Sequence, residues 1–530
     1  MVFKSRDLPR AAIAALGLSS VFLLWMMAPI VSPRHEAIYH WSGSPLSFFG
    51  PPMMEFCGFW LLLTVLLAMT TGRWRLAIWC GALGLTPWMA VTNWALLQDR
   101  APHPTIALVL LGVGAAAFVI PFAIWRPRFE GGSQRLVGFA STMLALLAMS
   151  GAGILCGCVV YGWQARSLNA EPSFQRSEGF QQQAGRPRVI WIMLDELSYQ
   201  QVYERRYPGL DLPSFDAVAQ EATVFRHVIP AGLMTERVVP SLMTGDTVDK
   251  IRSSTDGQLS VHHPGTNMWE TFDERGTVFQ DALNMKYKTA VAGWYNPYCR
   301  ILRDVLDSCF WTFGGPTDNL LTPRASLAAN LIAPWERFFS MGMGNRKISD
   351  LLKSTAGEID AKEHVIDYLT LAAAADRILD DRTAGFVMIH MPIPHPFGIY
   401  ERKSGRFSEE HTTYLDNLAL ADKFLGQVRL RLEKSGQWDS STIVIMGDHS
   451  WRAEQFWSQT SEWTEEERVA SGNNQFDNRP GYIVKLAGQR EGSGIDTSFD
   501  AKNTRKLFDA LLGQRIKSKE ELSEWVTTLH

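Results

Sequence analysis

Hydrophobic and polar positions divide this chain into two parts written for different solvents. Five apolar segments, Ala11–Val31, Met53–Thr71, Leu76–Gln98, Thr105–Trp125 and Leu136–Trp163, have the length of about 20 residues that a helix needs to cross a bilayer. Only Glu55 places a charge inside them, near a segment end, and Trp and Tyr gather at several of the ends as interfacial anchors do. With the N-terminus inside, the inner stretches hold Lys4, Arg6, Arg10, Arg73, Arg75, Arg126, Arg128 and Arg135, and the outer loops hold only Arg34 and Arg100. This asymmetry predicts a cytoplasmic N-terminus, and an odd number of crossings then places everything after Trp163 outside. A cleaved signal peptide is the competing reading of the first segment, but no clean small-residue cleavage pattern follows it and four spans would remain.

Beyond the apolar third the periodicity changes. Residues 164–187 are polar and without period, which predicts a juxtamembrane linker between a transmembrane domain over 1–163 and an extracytoplasmic domain over 188–530. In that domain Arg188–Leu194, Lys288–Gly293, Gly385–Met391, Thr442–Met446 and Gly481–Leu486 are short apolar, β-favouring runs. Such runs suit strands buried in a mainly parallel sheet. Helical patterns such as Leu415–Lys434 and Ala501–Leu512 lie between or after them, so the expectation is a layered α/β fold.

In such sheets functional side chains collect at the carboxyl ends of strands. Asp195 and Glu196 follow the first run, His390 and His395 end or follow the third, and Asp448 and His449 follow the fourth. Each pair alone reads as a strand exit, a rigid proline loop or a turn. Three such pairs at one edge of one sheet point to a metal centre. The mixture of carboxylate and imidazole suits Mn²⁺, Zn²⁺ or Mg²⁺ better than calcium. Trp294–Tyr298 follows another run and reads as a packed loop, or more sharply as a substrate-lining one.

Composition adds limits. The net charge of −3 over 530 residues gives no case for nucleic-acid binding. Of the six cysteines, Cys57, Cys80, Cys156 and Cys158 fall in or beside apolar stretches, where small buried hydrophobes are expected. Cys299 and Cys309 lie in the polar part; an oxidising compartment would favour a bridge, and two free thiols are equally open at this point.

Several stretches also resemble a known family. Leu212–Phe225 (LPSFDAVAQEATVF), Met234–Gly245 (MTERVVPSLMTG), Tyr414–Gly426 (YLDNLALADKFLG) and Thr442–His449 (TIVIMGDH) are similar, in order along the chain, to segments of the sulfatase-like branch of the alkaline phosphatase superfamily. Five membrane helices ahead of such a domain resemble the lipoteichoic acid synthases and phosphoethanolamine transferases of that branch. The resemblance implies a transferase that moves a phosphoglycerol- or phosphoethanolamine-type group from a phospholipid donor to an envelope glycan or glycolipid acceptor, in a bacterial inner membrane with its catalytic domain periplasmic. The alternative is a membrane-tethered phosphodiesterase, phosphatase or sulfatase-like hydrolase.

The resemblance further implies Thr235 as nucleophile and Asp195, Glu196, Asp448 and His449, with Thr235, as ligands of one divalent metal ion, with room for a second. His395 becomes a catalytic group near the phosphate, and His390, Arg237 and Arg452 substrate contacts. Sulfatases need Cys or Ser at the nucleophile position, with Pro and Arg two and four residues on. Here Thr235, Arg237 and Val239 occupy those positions, which disfavours sulfate ester chemistry. Ser450 stands where glycine is usual, and no histidine follows His449 until His530, which weighs against a two-zinc site. Thr235 also suits the start of a helix, where a threonine caps.

Overall fold

The computed structural model describes residues 7–32, 36–98, 102–166, 168, 173–175, 186–316, 321–339, 343, 346–460 and 462–529. Lys4, Arg6, Arg34, Arg100 and most of the expected linker lie outside them. The chain forms two compact units, each discontinuous in sequence: a helical unit of Met1–Ile38, Gly43–Leu168 and Pro316–Ala356, and an α/β unit of Tyr39–Ser42, Asn169–Gly315 and Gly357–His530.

In the helical unit, the apolar runs become helices at Asp7–Phe22, Leu24–Val31, Pro45–Met69, Gly72–Leu97, Pro104–Ile124 and Glu130–Ala165. Pro45–Met69, Pro104–Ile124 and the stretch Pro127–Ala165 are long and apolar enough to cross a membrane, and the first two helices make a fourth candidate if their bent pair is one span. Gly72–Leu97, where the third crossing is expected, is 26 residues long and holds Arg73, Arg75 and Asn93, and it does not join that set. Cys57 and Cys156 are exposed rather than buried, on helix surfaces that protein does not cover. Glu55 is well inside its helix, because that helix begins at Pro45 rather than Met53; its carboxylate accepts from Trp335 Nε1 at 3.1 Å.

The first segment departs most from expectation. Ala11–Val31 is not one helix but two, bent by 80° at Leu23. The cause is a side chain from another helix. Trp25 N–H and Val21 C=O would pair with each other in an unbroken helix. Instead Trp25 N–H donates to Asn93 Oδ1 at 2.6 Å, and Asn93 Nδ2 donates to Val21 O at 2.6 Å. The buried amide of Asn93 is therefore inserted into the ladder, one of the few ways to kink a helix sharply without leaving backbone groups unpaired.

The α/β unit is built on a nine-stranded sheet. Its centre is five mutually parallel strands in the order Ser308–Thr312, Lys288–Trp294, Ala384–Met391, Arg188–Leu194 and Ser441–Met446. Tyr482–Lys485 pairs antiparallel beyond the last of these, and Thr223–Phe225 and Ser493–Ile495 extend that edge. Ser173–Gln175 closes the other edge, antiparallel to Ser308–Thr312. Every residue of Arg188–Leu194, Ala384–Met391 and Ser441–Met446 is buried, which is why these runs are apolar along most of their length rather than alternating, with Arg188, His390, Ser441 and Thr442 near their ends as the polar exceptions. Trp191 and Phe386 both pack on Phe508 of the helix Thr504–Leu512, so one sheet face is covered by the C-terminal helices.

Cys299 and Cys309 are bonded, with Cα atoms 5.5 Å apart, and tie the loop after Lys288–Trp294 to the neighbouring strand.

Replacing Asn93 by leucine, which is close in volume, would leave Trp25 N–H and Val21 C=O buried without partners. We expect Asn93→Leu to lower unfolding stability by about 2 kcal/mol or more, read by thermal or denaturant unfolding of the full chain in detergent. Unchanged stability would show that the amide does not hold the bend.

Candidate metal-binding active site

Four adjacent parallel strands deliver the site. Their carboxyl ends carry Trp294, His390, Asp195 with Glu196, and, one turn beyond Met446, Asp448 with His449. Gly447 lets the last two strand exits close on each other, since a Cβ there would stand 2.7 Å from Leu197 O. Glu196 sits at φ +62°, a left-handed conformation that costs a non-glycine residue roughly 1–2 kcal/mol. Its backbone is held there from two sides: its N–H donates to Asp448 Oδ1 at 3.0 Å, and its carbonyl accepts from Tyr414 O–H at 2.9 Å.

Thr235 opens the helix Thr235–Thr244, but its hydroxyl is not spent on capping. Met234 occupies the cap position and makes no side-chain cap bond. Instead Thr235 Oγ1 donates to Asp448 Oδ2 at 2.8 Å and lies 3.4 Å from both Asp195 Oδ2 and His449 Nε2. Thr235 is 6 % exposed, and Asp195, Asp448 and His449 are fully buried. The structure thus gathers four of the expected site residues, from separate parts of the sequence, around one hydroxyl.

The charges around that hydroxyl do not balance within the protein. Glu196 is answered by Arg452, whose Nε donates to Glu196 Oε1 at 2.8 Å and whose Nη2 makes a shorter contact with the same oxygen. Trp457 Nε1 donates to the Glu196 carboxylate as well, at 3.0 Å. Among the described residues no Lys or Arg pairs with Asp195 or Asp448, and Asp195 Oδ1 is buried with no hydrogen-bond partner. Burial, then the neighbouring charges of Asp448 and Glu196, push the Asp195 carboxyl well above the usual carboxylate range. His449 Nδ1 lies 3.1 Å from Ser450 O, which places the ring proton on Nδ1. The Nε2 lone pair then faces Asp448 Oδ2 at 3.2 Å, two acceptors in contact.

A dication resolves each of these conflicts. Asp195, Glu196 and His449 each offer a ligand atom, all within 4.8 Å of one another. The oxygen-rich set with one imidazole is that of Mn²⁺, Zn²⁺ or Mg²⁺. Within it, Asp195 Oδ1 and His449 Nε2 are uncommitted, whereas both Glu196 oxygens already serve Arg452 and Trp457; Asp448, beside them, holds the Glu196 N–H and the Thr235 hydroxyl.

The remaining expected residues sit around this core. His390, fully buried, has Nε2 3.5 Å from Asp195 Oδ2, and its Nδ1 is 2.7 Å from the Tyr298 hydroxyl. Burial above all lowers the imidazole of His390 to about 4 and that of His449 to about 3, so both are neutral near pH 7. His395 is wedged between Trp294 and Trp457, ring centroids 5.4 and 5.2 Å away, with its Nδ1 buried and unpartnered. Arg452 is committed to Glu196 rather than open to a substrate. Arg237 is half-exposed, its Nε 3.3 Å from Glu236. Sequence reasoning did not single out Tyr414, Trp457 or His364, which stacks on Trp294 at 5.5 Å. Tyr298 was legible only as part of the Trp294–Tyr298 loop.

The sulfatase family matches residues 187–482. The chain belongs to that family, the branch of the alkaline phosphatase superfamily whose segments the sequence resembles, and members of this superfamily are metal-dependent enzymes. Among solved structures, Ps i-CgsB in complex with k-i-k-neocarrahexaose is 15 % identical at a TM-score of 0.41, over 65 % of this chain and 76 % of that one. The phosphonate monoester hydrolase of Agrobacterium radiobacter is 14 % identical at 0.37, over 62 % and 74 %. The lipoteichoic acid synthase LtaP from Listeria monocytogenes is 15 % identical at 0.36, over 63 % and 73 %. No curated protein matches the sequence.

The signs of the shifts give a pH test. His390 and His449 have folded values far below the unfolded 6.5, so the metal-free fold is destabilised as pH falls below about 6.5 and the unfolded chain takes up protons. Asp195, raised, acts oppositely: its charge burdens the metal-free fold as pH rises. Because a metal ion needs Asp195 ionised and the imidazole neutral, we expect added Mn²⁺ to raise the melting temperature more at pH 7.5 than at pH 5, and Asp195→Asn to abolish most of that gain. An equal gain at both pH values, or one that survives Asp195→Asn, would contradict the assignment.

Proposed function

We propose that this protein is a membrane-bound, metal-dependent phosphotransferase. It moves a phospho-alcohol group from a phospholipid to an envelope glycan or glycolipid through a phosphorylated Thr235. The observation that carries this reading is the hydroxyl of Thr235, in hydrogen-bond contact with Asp448 and close to Asp195 and His449. A threonine so placed, rather than a cysteine or serine, favours phosphoryl over sulfate ester chemistry.

The divalent ion this pocket suits would supply Lewis-acid polarisation of the hydroxyl and of a phosphoryl oxygen. The chain's own residues do the rest. Asp448 Oδ2 is placed to take the Thr235 proton as Oγ1 attacks phosphorus; the bond from phosphorus to the diacylglycerol oxygen breaks, and the proton ends on the released diacylglycerol hydroxyl. Thr235 lies in the first turn of its helix, whose positive end favours the phosphoryl group it receives. His395, held neutral by burial, serves as an N–H donor to a phosphoryl oxygen rather than as an imidazolium acid, while His390, likewise neutral, keeps its Nε2 beside Asp195. In the second half the acceptor hydroxyl attacks phosphorus and its proton returns to Thr235. Water in place of the acceptor makes the same site a phosphodiesterase.

The setting rests on the charge pattern of the sequence; the helical unit offers three helices that qualify as spans, or four with the bent pair, and five crossings require Gly72–Leu97 as well. Five crossings over 1–163, a short linker and a periplasmic catalytic domain over 188–530 are the arrangement that the Lys and Arg asymmetry favours. The Cys299–Cys309 bond supports an oxidising compartment.

Incubation of the full chain with phospholipid, Mn²⁺ and no acceptor should leave a phospho-alcohol adduct on Thr235, seen by peptide mass spectrometry and absent in Thr235→Ala. An adduct elsewhere, or turnover undiminished in Thr235→Ala, would reject the proposal. Release of free phospho-alcohol that glycan acceptors do not divert would favour the hydrolase.

A further inference from the structure

The α/β unit includes four residues from far upstream. Tyr39–Ser42 lie in sequence between the helices Leu24–Val31 and Pro45–Met69, yet they belong to the catalytic unit. They are fastened at several points. Arg300 Nη1 donates to Tyr39 O and Nη2 to Trp41 O, each at 3.1 Å, and Ser42 Oγ donates to Phe313 O at 2.7 Å. His40 stacks on Tyr295 with ring centroids 4.0 Å apart. Arg300 adjoins Cys299, so the disulfide secures the residue that clasps this finger.

One contact leads to the active site. Tyr39 O–H donates to Asn296 Oδ1 at 3.0 Å. Both residues are fully buried, so the orientation of the Asn296 amide is set by this bond rather than by water. The Asn296 carbonyl in turn accepts from the Tyr298 N–H at 2.8 Å, so the residue that Tyr39 holds also anchors the start of the turn that carries Tyr298. The Tyr298 hydroxyl lies 2.7 Å from His390 Nδ1. With the hydroxyl as donor, the ring proton sits on Nε2, 3.5 Å from Asp195 Oδ2.

We infer that Tyr39 is a positioning residue of the active site, acting through Asn296 and Tyr298 to hold His390 in the tautomer that steadies Asp195. The finger thereby makes the catalytic centre depend on a segment that the sulfatase-type domain does not itself encode. This inference rests on the reading of Asp195 as a metal ligand but not on the identity of the transferred group.

The test uses the full chain in detergent and three measurements: Mn²⁺ affinity after chelation, from the free-ion EPR signal; kcat and KM with bis(4-nitrophenyl) phosphate; and the melting temperature. Tyr39→Phe keeps the ring and removes only the hydroxyl. Ser42→Ala removes a fastening of the same finger that is not on the path to His390. We expect Tyr39→Phe to weaken Mn²⁺ binding about 10-fold and to lower kcat with little change in KM, as loss of a partner behind a metal ligand does. Ser42→Ala should match the parent in both. Parent-like Mn²⁺ affinity in Tyr39→Phe overturns the inference. So does an equal loss in both variants, or a loss that tracks the melting temperature, since either would mean that the finger matters only for docking. A parent inactive on the diester would count against the proposed function, while the Mn²⁺ titration would still decide the role of Tyr39.

Discussion

The α/β unit is organised around uncompensated negative charge. Asp195 and Asp448 are fully buried at neighbouring strand ends, with the Thr235 hydroxyl between them and the lone pair of His449 turned the same way. Buried carboxylates without a partner are among the most costly arrangements a fold can hold. Glu196, beside Asp195, is answered by Arg452, and the imbalance left at Asp195 and Asp448 is the property that a dication would convert from a burden into a grip.

Around that core the fold spends its polar contacts on orientation. Tyr414 braces the turn that puts Glu196 at positive φ, and its ring lies flat on Trp451 at 4.2 Å. Arg452 is held by Glu196 and reaches Leu233 O at 3.0 Å, beside the start of the Thr235 helix, so one guanidinium links two of the converging segments. His390 and His395 enter from the strand and loop on the other side, each against Trp294. These contacts hold the site's groups in place before any substrate arrives.

Much of this was legible in the sequence, for a clear reason. A strand buried on both faces must be apolar throughout, so Arg188–Leu194 and Thr442–Met446 announced themselves, and the polar residues that end them marked the site. The order of the strands was not legible, because no local pattern records that Ala384–Met391 lies between Lys288–Trp294 and Arg188–Leu194. Nor was the bend in the first apolar segment, since its cause is Asn93 on another helix. The commitment of Arg452 to Glu196 and the docking of Tyr39–Ser42 are likewise pairings between residues more than 200 positions apart, and composition and period are blind to those. Cys299 and Cys309 could be read as a candidate pair but not as a bond, because spacing leaves the redox setting open.

If Asp195, Asp448 and His449 hold one dication against the oxygen of Thr235, anomalous diffraction at the zinc edge, from crystals of the full chain grown with Zn²⁺, should show it. We expect a single strong peak about 2.0–2.3 Å from ligand atoms of those three side chains and in contact with Thr235 Oγ1. A pocket with no peak in crystals that bind zinc elsewhere, or a peak that leaves Thr235 out of reach, would contradict it.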